Sequence, residues 1–384
     1  MKLLQIGAGN IGRALVGPLF GTAGWEVVFA DVDAALVDGL NEQGGYNLVT
    51  CHPVEGLTTR RISGVRAIRA DNPGDLAREA ADAAVIATAV GAGALPAVLS
   101  ALESALAGRE TAVDLLLAEN APGAADLALR SLAHAPRVGI VETSIGKMVP
   151  LVPAEARASD PLQVRGEPYN TLICDARGWV DSPPAIEGLL PVENIAAYIE
   201  RKLYVHNLGH SAVAYLAYIA DPECRTVVDA LTLDGVREGA EAAMRAAAAA
   251  LREKYPDDFD ERKLDLHIED LLERFGNRFL GDTVHRVGRD LARKLGARER
   301  LIGAMRLCME NGVEIDAIAR IAAAALAFGA PDERGKIHPS DRTVHERMSV
   351  EGVGRVLRDL AALSDARDED RRILEAIERY YKRT

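Results

Sequence analysis

Directly after an apolar run, Met1 to Ile6, stands Gly7-Ala8-Gly9-Asn10-Ile11-Gly12-Arg13, a GxGxxG that opens a helix near Asn10. Glycines at this spacing permit a tight turn, a close approach of backbone to a pyrophosphate, and close packing of a helix on a strand. The helix start adds amide donors and a partial positive charge. A second strand-like run, Glu26 to Ala30, ends at Asp31, 19 residues after Gly12, where a carboxylate accepts hydrogen bonds from an adenosine ribose. Gly7, Gly9, Asn10, Ile11, Gly12 and Asp31 are therefore the expected dinucleotide contacts. No Lys or Arg occurs between Arg13 and Arg60, and Asp31 and Asp33 would repel a 2′-phosphate, so NAD is favoured over NADP. Thr88-Ala89-Val90-Gly91 follows another buried run, at the loop position that faces the middle of a dinucleotide. It adds Ala89 and Val90, with a plain turn as the alternative.

The pattern that follows extends this start into a fold. Runs at 2–6, 26–30, 83–88, 111–117 and 138–141 are apolar without strict alternation, as strands buried on both faces are. Segments long enough for crossover helices separate them, which predicts a doubly wound, Rossmann-type, mostly parallel sheet. Val164 to Cys174 reads as one additional strand. From about Pro191 the pattern becomes helical, with Ile195 to Ile219 and Glu223 to Lys254 the longest stretches, so an all-α C-terminal domain follows. The Pro-rich stretch Pro183 to Pro191 divides the chain into 1–190, binding the dinucleotide, and 191–384, carrying substrate and catalytic groups.

Composition narrows the partners. With 48% hydrophobic and 27% charged residues a packed protein is expected, and a net charge of −12 excludes a general nucleic-acid binder. Only a local basic patch could hold an anion. Cys51, Cys174, Cys224 and Cys308 have no metal-ligand spacing, which argues against a zinc site or disulfide framework and fits a reducing cytoplasm. The first residues read as a strand rather than a secretory signal. The uncharged stretch Ala83 to Leu102 is broken by Gly91, Gly93 and Pro96, so no membrane span or membrane partner is expected.

A bound dinucleotide needs a proton donor or acceptor near its redox ring. The helix opening the second domain offers one in Lys202-Leu203-Tyr204-Val205-His206-Asn207-Leu208-Gly209-His210. On an ideal α-helix Asn207 and His210 are neighbours, and Lys202 lies within roughly 140° of both. A lysine kept neutral by desolvation or a nearby cation takes a hydroxyl proton as hydride leaves, while an amide donates to the developing alkoxide. A half-exposed helix with a satisfied histidine is the alternative. Asn120 follows the run Thr111 to Leu117, at the carboxyl end of a strand, where ligands bind in open α/β sheets. Farther on, Thr283 to Leu295 reads as one amphipathic helix, with Val284, Val287, Leu291 and Leu295 inward and Arg286, Arg289 and Arg293 on another face beside Lys294. That face is either solvated or grips an anion, since Arg offers paired donors to phosphate or carboxylate.

Taken together, these residues resemble the polyol-specific long-chain dehydrogenase family, and within it most closely the mannitol-1-phosphate 5-dehydrogenases. The similarity is carried by Ile6 to Arg13, Glu119-Asn120, the Lys-x4-Asn-x2-His pattern at Lys202, Asn207 and His210, Arg286-Val287-Gly288-Arg289, and Arg293-Lys294-Leu295. The resemblance implies an NAD-dependent, metal-independent oxidoreductase interconverting a polyol phosphate and a keto-sugar phosphate. Lys202 would be the acid/base, Asn207 and Asn120 would bind the reacting oxygen, His210 would orient substrate, and Arg286 and Lys294 would face it, with Lys294 also helping to depress the Lys202 pKa; Arg289 joins them as a substrate-binding candidate from the cationic face. One departure stands out: Ser144-Ile145-Gly146-Lys147-Met148-Val149-Pro150 has Gly146 where the family carries a carboxylate, which leaves open a substrate other than mannitol 1-phosphate. The alternatives are a dehydrogenase of an unphosphorylated polyol or a sugar acid, like tagaturonate or fructuronate reductase, and a non-catalytic NAD-binding sensor.

Overall fold

The computed structural model describes residues 1–134 and 137–382. The chain divides into two compact units, Met1–Tyr198 and the part from Ile199 onward. Among the described residues the strands are β1 (Lys2–Ile6), β2 (Glu26–Asp31), β3 (Gly45–His52), β4 (Gly56–Ser63), β5 (Val65–Arg69), β6 (Val85–Thr88), β7 (Val113–Leu117), β8 (Val138–Ile145), β9 (Val164–Gly166), β10 (Leu172–Asp175) and β11 (Leu189–Val192). Eight of them form one sheet in the order β11-β10-β8-β7-β6-β1-β2-β5, and β4-β3-β9 form a second. The large sheet is parallel except where β10 runs antiparallel to β8, so the expected doubly wound, mostly parallel architecture is present.

Burial explains the uninterrupted apolar runs. Leu3, Val27, Phe29, Val85 and Leu116 pack on one face of the large sheet, while Leu4, Ile6, Val28, Ile86 and Leu115 pack on the other. Two readings need correction. Val164 to Cys174 is not one strand: Val164–Gly166 joins the small sheet beside β3, and Leu172–Asp175 joins the large sheet beside β8. The hairpin β3–β4 gave no strand signal, because residues 57 to 61 of β4 are all exposed and nothing selects alternating apolar positions there.

The second unit is helical, and its described residues hold no strand beyond a single bridge between Thr226 and Thr283. A continuous helical run comprises Ile195–Arg201, Lys202–His206 and Asn207–Ala220, and its last two parts pack along Val236–Lys254. Contact is close at Gly209, where a Cβ would lie 2.3 Å from Met244 Sδ. Glu223 to Lys254, expected as one helix, is two: Val227–Ala230 and Val236–Lys254, separated at Gly235 with φ of 76°. The alanines of the second pack their buried face with Met244 and Leu251.

Candidate active site

The glycine turn is built as its spacing requires. Gly7 takes φ of 89°, and a Cβ on it would meet the Ala89 carbonyl oxygen at 2.4 Å; on Gly12 it would meet the Gly7 oxygen at 2.2 Å. Gly9 differs, because nothing lies within 4 Å of the position its Cβ would take. The first and third glycines thus serve the protein's own packing, whereas the second keeps open the space a phosphate would fill. Beneath the turn, buried Gln5 donates to the carbonyls of Ile6 at 2.9 Å and Gly7 at 3.2 Å. Asp31 accepts from Ala8 N at 2.7 Å through Oδ2 and from Asp33 N at 3.0 Å through Oδ1, so its carboxylate is fixed at the turn.

The helix that follows starts with a π-wound segment, Gly12–Val16, in which Gly17 N–H donates to the Gly12 oxygen five residues back. Pro18 supplies a reason, since it brings no N–H to the preceding turn. The Arg13 carbonyl that a residue 18 amide would reach in this winding is taken instead by the buried Tyr46 hydroxyl at 2.7 Å. Arg13 itself is buried, donating to Ala8 O at 2.5 Å and to Leu162 O, so it braces the turn. Beside Asp31 on β5 stands Arg69, which is engaged by Asp71 at 2.7 Å. That pairing leaves the surroundings of Asp31 acidic.

At the ends of β6 and β7 the structure adds a residue that spacing alone did not single out. The buried carboxylate of Glu119 accepts from Val90 N at 2.9 Å and Gly91 N at 2.8 Å, fixing the loop that carries Ala89 and Val90. Asn120 follows it and is exposed at the carboxyl end of β7.

In the second unit, Lys202 begins another π-wound turn, Lys202–His206, closed by Asn207 N–H on the Lys202 carbonyl. The helical-wheel estimate for Lys202 is corrected by this: with bonds from i to i+5, residues five apart stack more nearly along the axis, so Lys202 moves toward the face of Asn207. Arg300 reaches this turn, donating from Nη1 to the Asn207 carbonyl at 3.4 Å. Lys202 is half-buried, and its pKa is pushed down to about 8, first by desolvation and then by the Arg300 charge. Lys294 had been expected to supply that charge; Arg300 supplies it instead. His210 Nε2 lies 3.1 Å from Oδ2 of buried Asp282, and its ring stacks on Phe275 at 4.7 Å between centroids.

Thr283 to Leu295 is not one helix. Val284–Gly288 and Leu291–Lys294 are separated by Arg289 and by Asp290, which takes φ of 74°. The second piece is capped from elsewhere in the unit, Leu291 N donating to buried Asp341 at 2.7 Å. The break disperses the expected cationic row. Arg286 pairs with Asp282, and Arg293 pairs with Asp290 at 2.6 Å and Glu299 at 3.2 Å. Arg289 is exposed and has no carboxylate partner among the described residues. Lys294 is buried with Nζ on the Val287 carbonyl, and desolvation, followed by Arg300 and Arg293, pushes its pKa down to about 6. Near neutral pH it is therefore mostly an uncharged donor. Gly146, on the first unit, faces the Tyr169 ring, 3.4 Å from where a Cβ would stand.

The mannitol dehydrogenase Rossmann domain matches residues 1–188, and the mannitol dehydrogenase C-terminal domain matches residues 194–380. The chain belongs to the mannitol dehydrogenase family. By that membership it is an oxidoreductase. The mannitol-1-phosphate 5-dehydrogenase of Brevibacillus brevis is 34% identical over 347 residues, 87% of each chain. Its counterpart from Halalkalibacterium halodurans is 32% identical, covering 94% of this chain and 96% of the relative. Among solved structures, the Pseudomonas fluorescens mannitol 2-dehydrogenase ternary complex with NAD and D-mannitol shares the fold at a TM-score of 0.74 and 17% identity, covering 99% of this chain and 91% of that one. A substrate-free D-sorbitol dehydrogenase does so at 0.77 and 16%, over 98% and 92%.

For this mannitol dehydrogenase family member, sequence spacing puts forward Lys202, Asn207 and His210 as candidates because one helical run carries them. It passed over Arg300 and Asp282, whose partners lie 93 and 72 residues away along the chain. A weak signal existed for Arg300 in the charged run Arg298-Glu299-Arg300. Among the described residues no group of three or more His, Cys, Asp or Glu is placed to hold a metal ion, and no helix is long and apolar enough to cross a membrane.

Proposed function

We propose that this chain is an NAD-dependent dehydrogenase that interconverts a mannitol 1-phosphate-like polyol phosphate and its keto-sugar phosphate, with Lys202 as the acid/base in place of a metal-bound water. The observation that carries the reading is the Lys202 amine, half-buried on a widened turn beside Arg300, with a pKa of about 8. Such an amine exchanges a proton near neutral pH, where an ordinary lysine stays charged. In oxidation the neutral Nζ takes the hydroxyl proton as the carbon gives up hydride, and in reduction the ammonium returns it. Asn207 and Asn120 donate hydrogen bonds to the oxygen on which charge develops, and His210 orients a neighbouring hydroxyl.

The glycine turn fits a dinucleotide, with open space at Gly9 and the first-turn amides of Asn10 and Ile11 lacking carbonyl partners within their own helix. Gly7, Gly9, Asn10, Ile11 and Gly12 would hold the pyrophosphate, Asp31 the ribose, and Ala89 with Val90 the middle of the molecule. NAD, when bound there, supplies the hydride acceptor. The acidic surroundings of Asp31 favour NAD over its 2′-phosphorylated form. Relatives named mannitol-1-phosphate 5-dehydrogenase support a phosphate on the substrate. Exposed Arg289 would meet it beside Arg286, with Lys294 serving as a packed neutral donor. A cytoplasmic location fits the four buried free cysteines.

One observation favours a second reading. Arg286 and Arg293 are already paired with carboxylates, so the anion grip is smaller than the sequence suggests, and an unphosphorylated polyol or a sugar acid would need less of it. The deciding experiment follows nicotinamide absorbance with NAD and matched phosphorylated, unphosphorylated and carboxylated polyols. Selective turnover of the phosphates supports the first reading, and a preference for either other class replaces it.

A further inference from the structure

No cation lies between Arg13 and Arg60 in the sequence, yet the fold brings one to the acidic end of β2 from a later strand. β2 and β5 pair in parallel with Asp31 beside Arg69, and residues in register on neighbouring strands project from the same face of a sheet. Backbone bonds tie the two strand ends together. Ala70 N donates to the Asp31 carbonyl at 3.0 Å, and Asn72 N donates to the Arg69 carbonyl at 3.2 Å, closing a turn that carries Asp71. The Asp31 carboxylate is itself fixed at the glycine turn by the amides of Ala8 and Asp33. An arginine beside a carboxylate at this end of β2 is placed where a ribose 2′-phosphate would seek a partner.

The guanidinium of Arg69 is already engaged. Its Nε donates to Asp71 Oδ1 at 3.0 Å and its Nη2 donates to Oδ2 at 2.7 Å. This two-pronged pair uses the planar fork that would otherwise grip two oxygens of a phosphate. The Arg69 side chain is 38% exposed and that of Asp71 55%, so the pair contributes little to holding the fold. Its consequence is electrostatic. With Asp31 and Asp33, Asp71 sets three carboxylates against one guanidinium, and a 2′-phosphate would have to displace Asp71 while meeting the other two. We propose that Asp71 is a specificity-determining residue for the dinucleotide: by occupying the Arg69 fork it withholds from a 2′-phosphate the cation that stands beside Asp31. The choice of NAD then depends on an engaged arginine as well as on the Asp31 carboxylate. This deepens the dinucleotide reading and rests on it for the place where the ribose lies.

The test titrates full-length protein with NAD and with NADP by calorimetry, in Asp31→Ser, in Asp31→Ser/Asp71→Ala, and in the latter with Arg69→Ala added. Relative to Asp31→Ser alone, the further loss of Asp71 is expected to improve the affinity for NADP over NAD about tenfold or more, the scale of a hydrogen bond between charged groups. Adding Arg69→Ala is expected to cancel that gain. A ratio that Asp71→Ala leaves unmoved overturns the proposal. So does a gain that survives Arg69→Ala, because removal of negative charge alone would then account for it. Thermal unfolding of each variant confirms that exposed Asp71 is dispensable for folding, and a collapse of the fold on Asp71→Ala would make its role structural and overturn the assignment. If wild-type protein binds neither NAD nor NADP, the dinucleotide reading falls and the proposal with it, whereas NAD binding with an unmoved ratio overturns the role of Asp71 alone.

Discussion

Lys202 gives up its charge more readily than an ordinary lysine, and the direction of its shift sets a pH profile. Burial and Arg300 both disfavour the ammonium, which places its midpoint at about 8. If Lys202 is the acid/base, oxidation uses its neutral amine, so below that midpoint kcat/KM for the alcohol should rise about tenfold per pH unit and then level off. On the same assignment reduction would use the ammonium, so it should be flat at lower pH and fall above about 8. Rate profiles measured in both directions check the pair of slopes. Replacing Lys202 with Ala should cost on the order of 10^2 to 10^4 in rate if it is the acid/base. Arg300→Gln removes a like charge, so the midpoint should move to higher pH; an unmoved profile would show that another group sets it. Lys202 was legible because its partners recur along one helix. Arg300 was not, since a charge that arrives from 98 residues later leaves no period to read.

Elements were legible where the physical requirement is local. The strand, glycine turn and helix at the N-terminus follow one another within a short span whose residue types mark each of them, and all were expected. The break at Asp290 was hidden because a non-glycine residue takes the left-handed conformation there, with the next helical piece capped by Asp341, 51 residues beyond Asp290. The widened turn at Lys202–His206 was equally silent, since an i to i+5 bond requires no particular residue at either end. Glu119 is the element-scale device most open to test. Its two oxygens satisfy the Val90 and Gly91 amides, at 2.9 and 2.8 Å, and thereby shape the loop between β6 and the following helix. In Glu119→Gln one of those amides faces an NH2 group and loses its acceptor, a penalty of about 1–3 kcal/mol. NAD binding, titrated by protein fluorescence, should weaken roughly tenfold if that strain falls on the bound loop, with KM for the polyol changing little. Unaltered NAD affinity would limit Glu119 to a structural role.

Across the whole molecule, the net charge of −12 opposes an anionic substrate, so selectivity for a phosphate must come from a local reversal of sign. The segment from Asp282 to Arg300 provides one: Arg286, Arg289, Arg293, Arg298 and Arg300 stand against Asp282, Asp290 and Glu299, with Lys294 held largely neutral near pH 7. Pairing decides which of these charges remain available. Arg286 and Arg293 are committed to carboxylates, and Arg300 lies at the Lys202 turn, which leaves Arg289 and Arg298 exposed, and Arg289, close to Arg286 in the chain, is the candidate taken for the phosphate. Arg289→Ala should then raise KM for a polyol phosphate by about tenfold or more, the scale of a hydrogen bond between charged groups, while KM for the matching unphosphorylated polyol stays level. Salt provides an independent reading. Raising ionic strength from low to physiological levels shortens the screening length to about 8 Å, so KM for the phosphate should increase in wild-type protein and respond less in Arg289→Ala. Equal salt dependence for phosphorylated and unphosphorylated substrates would mean that the arginines of this segment face only water, and the second reading of the substrate would take precedence.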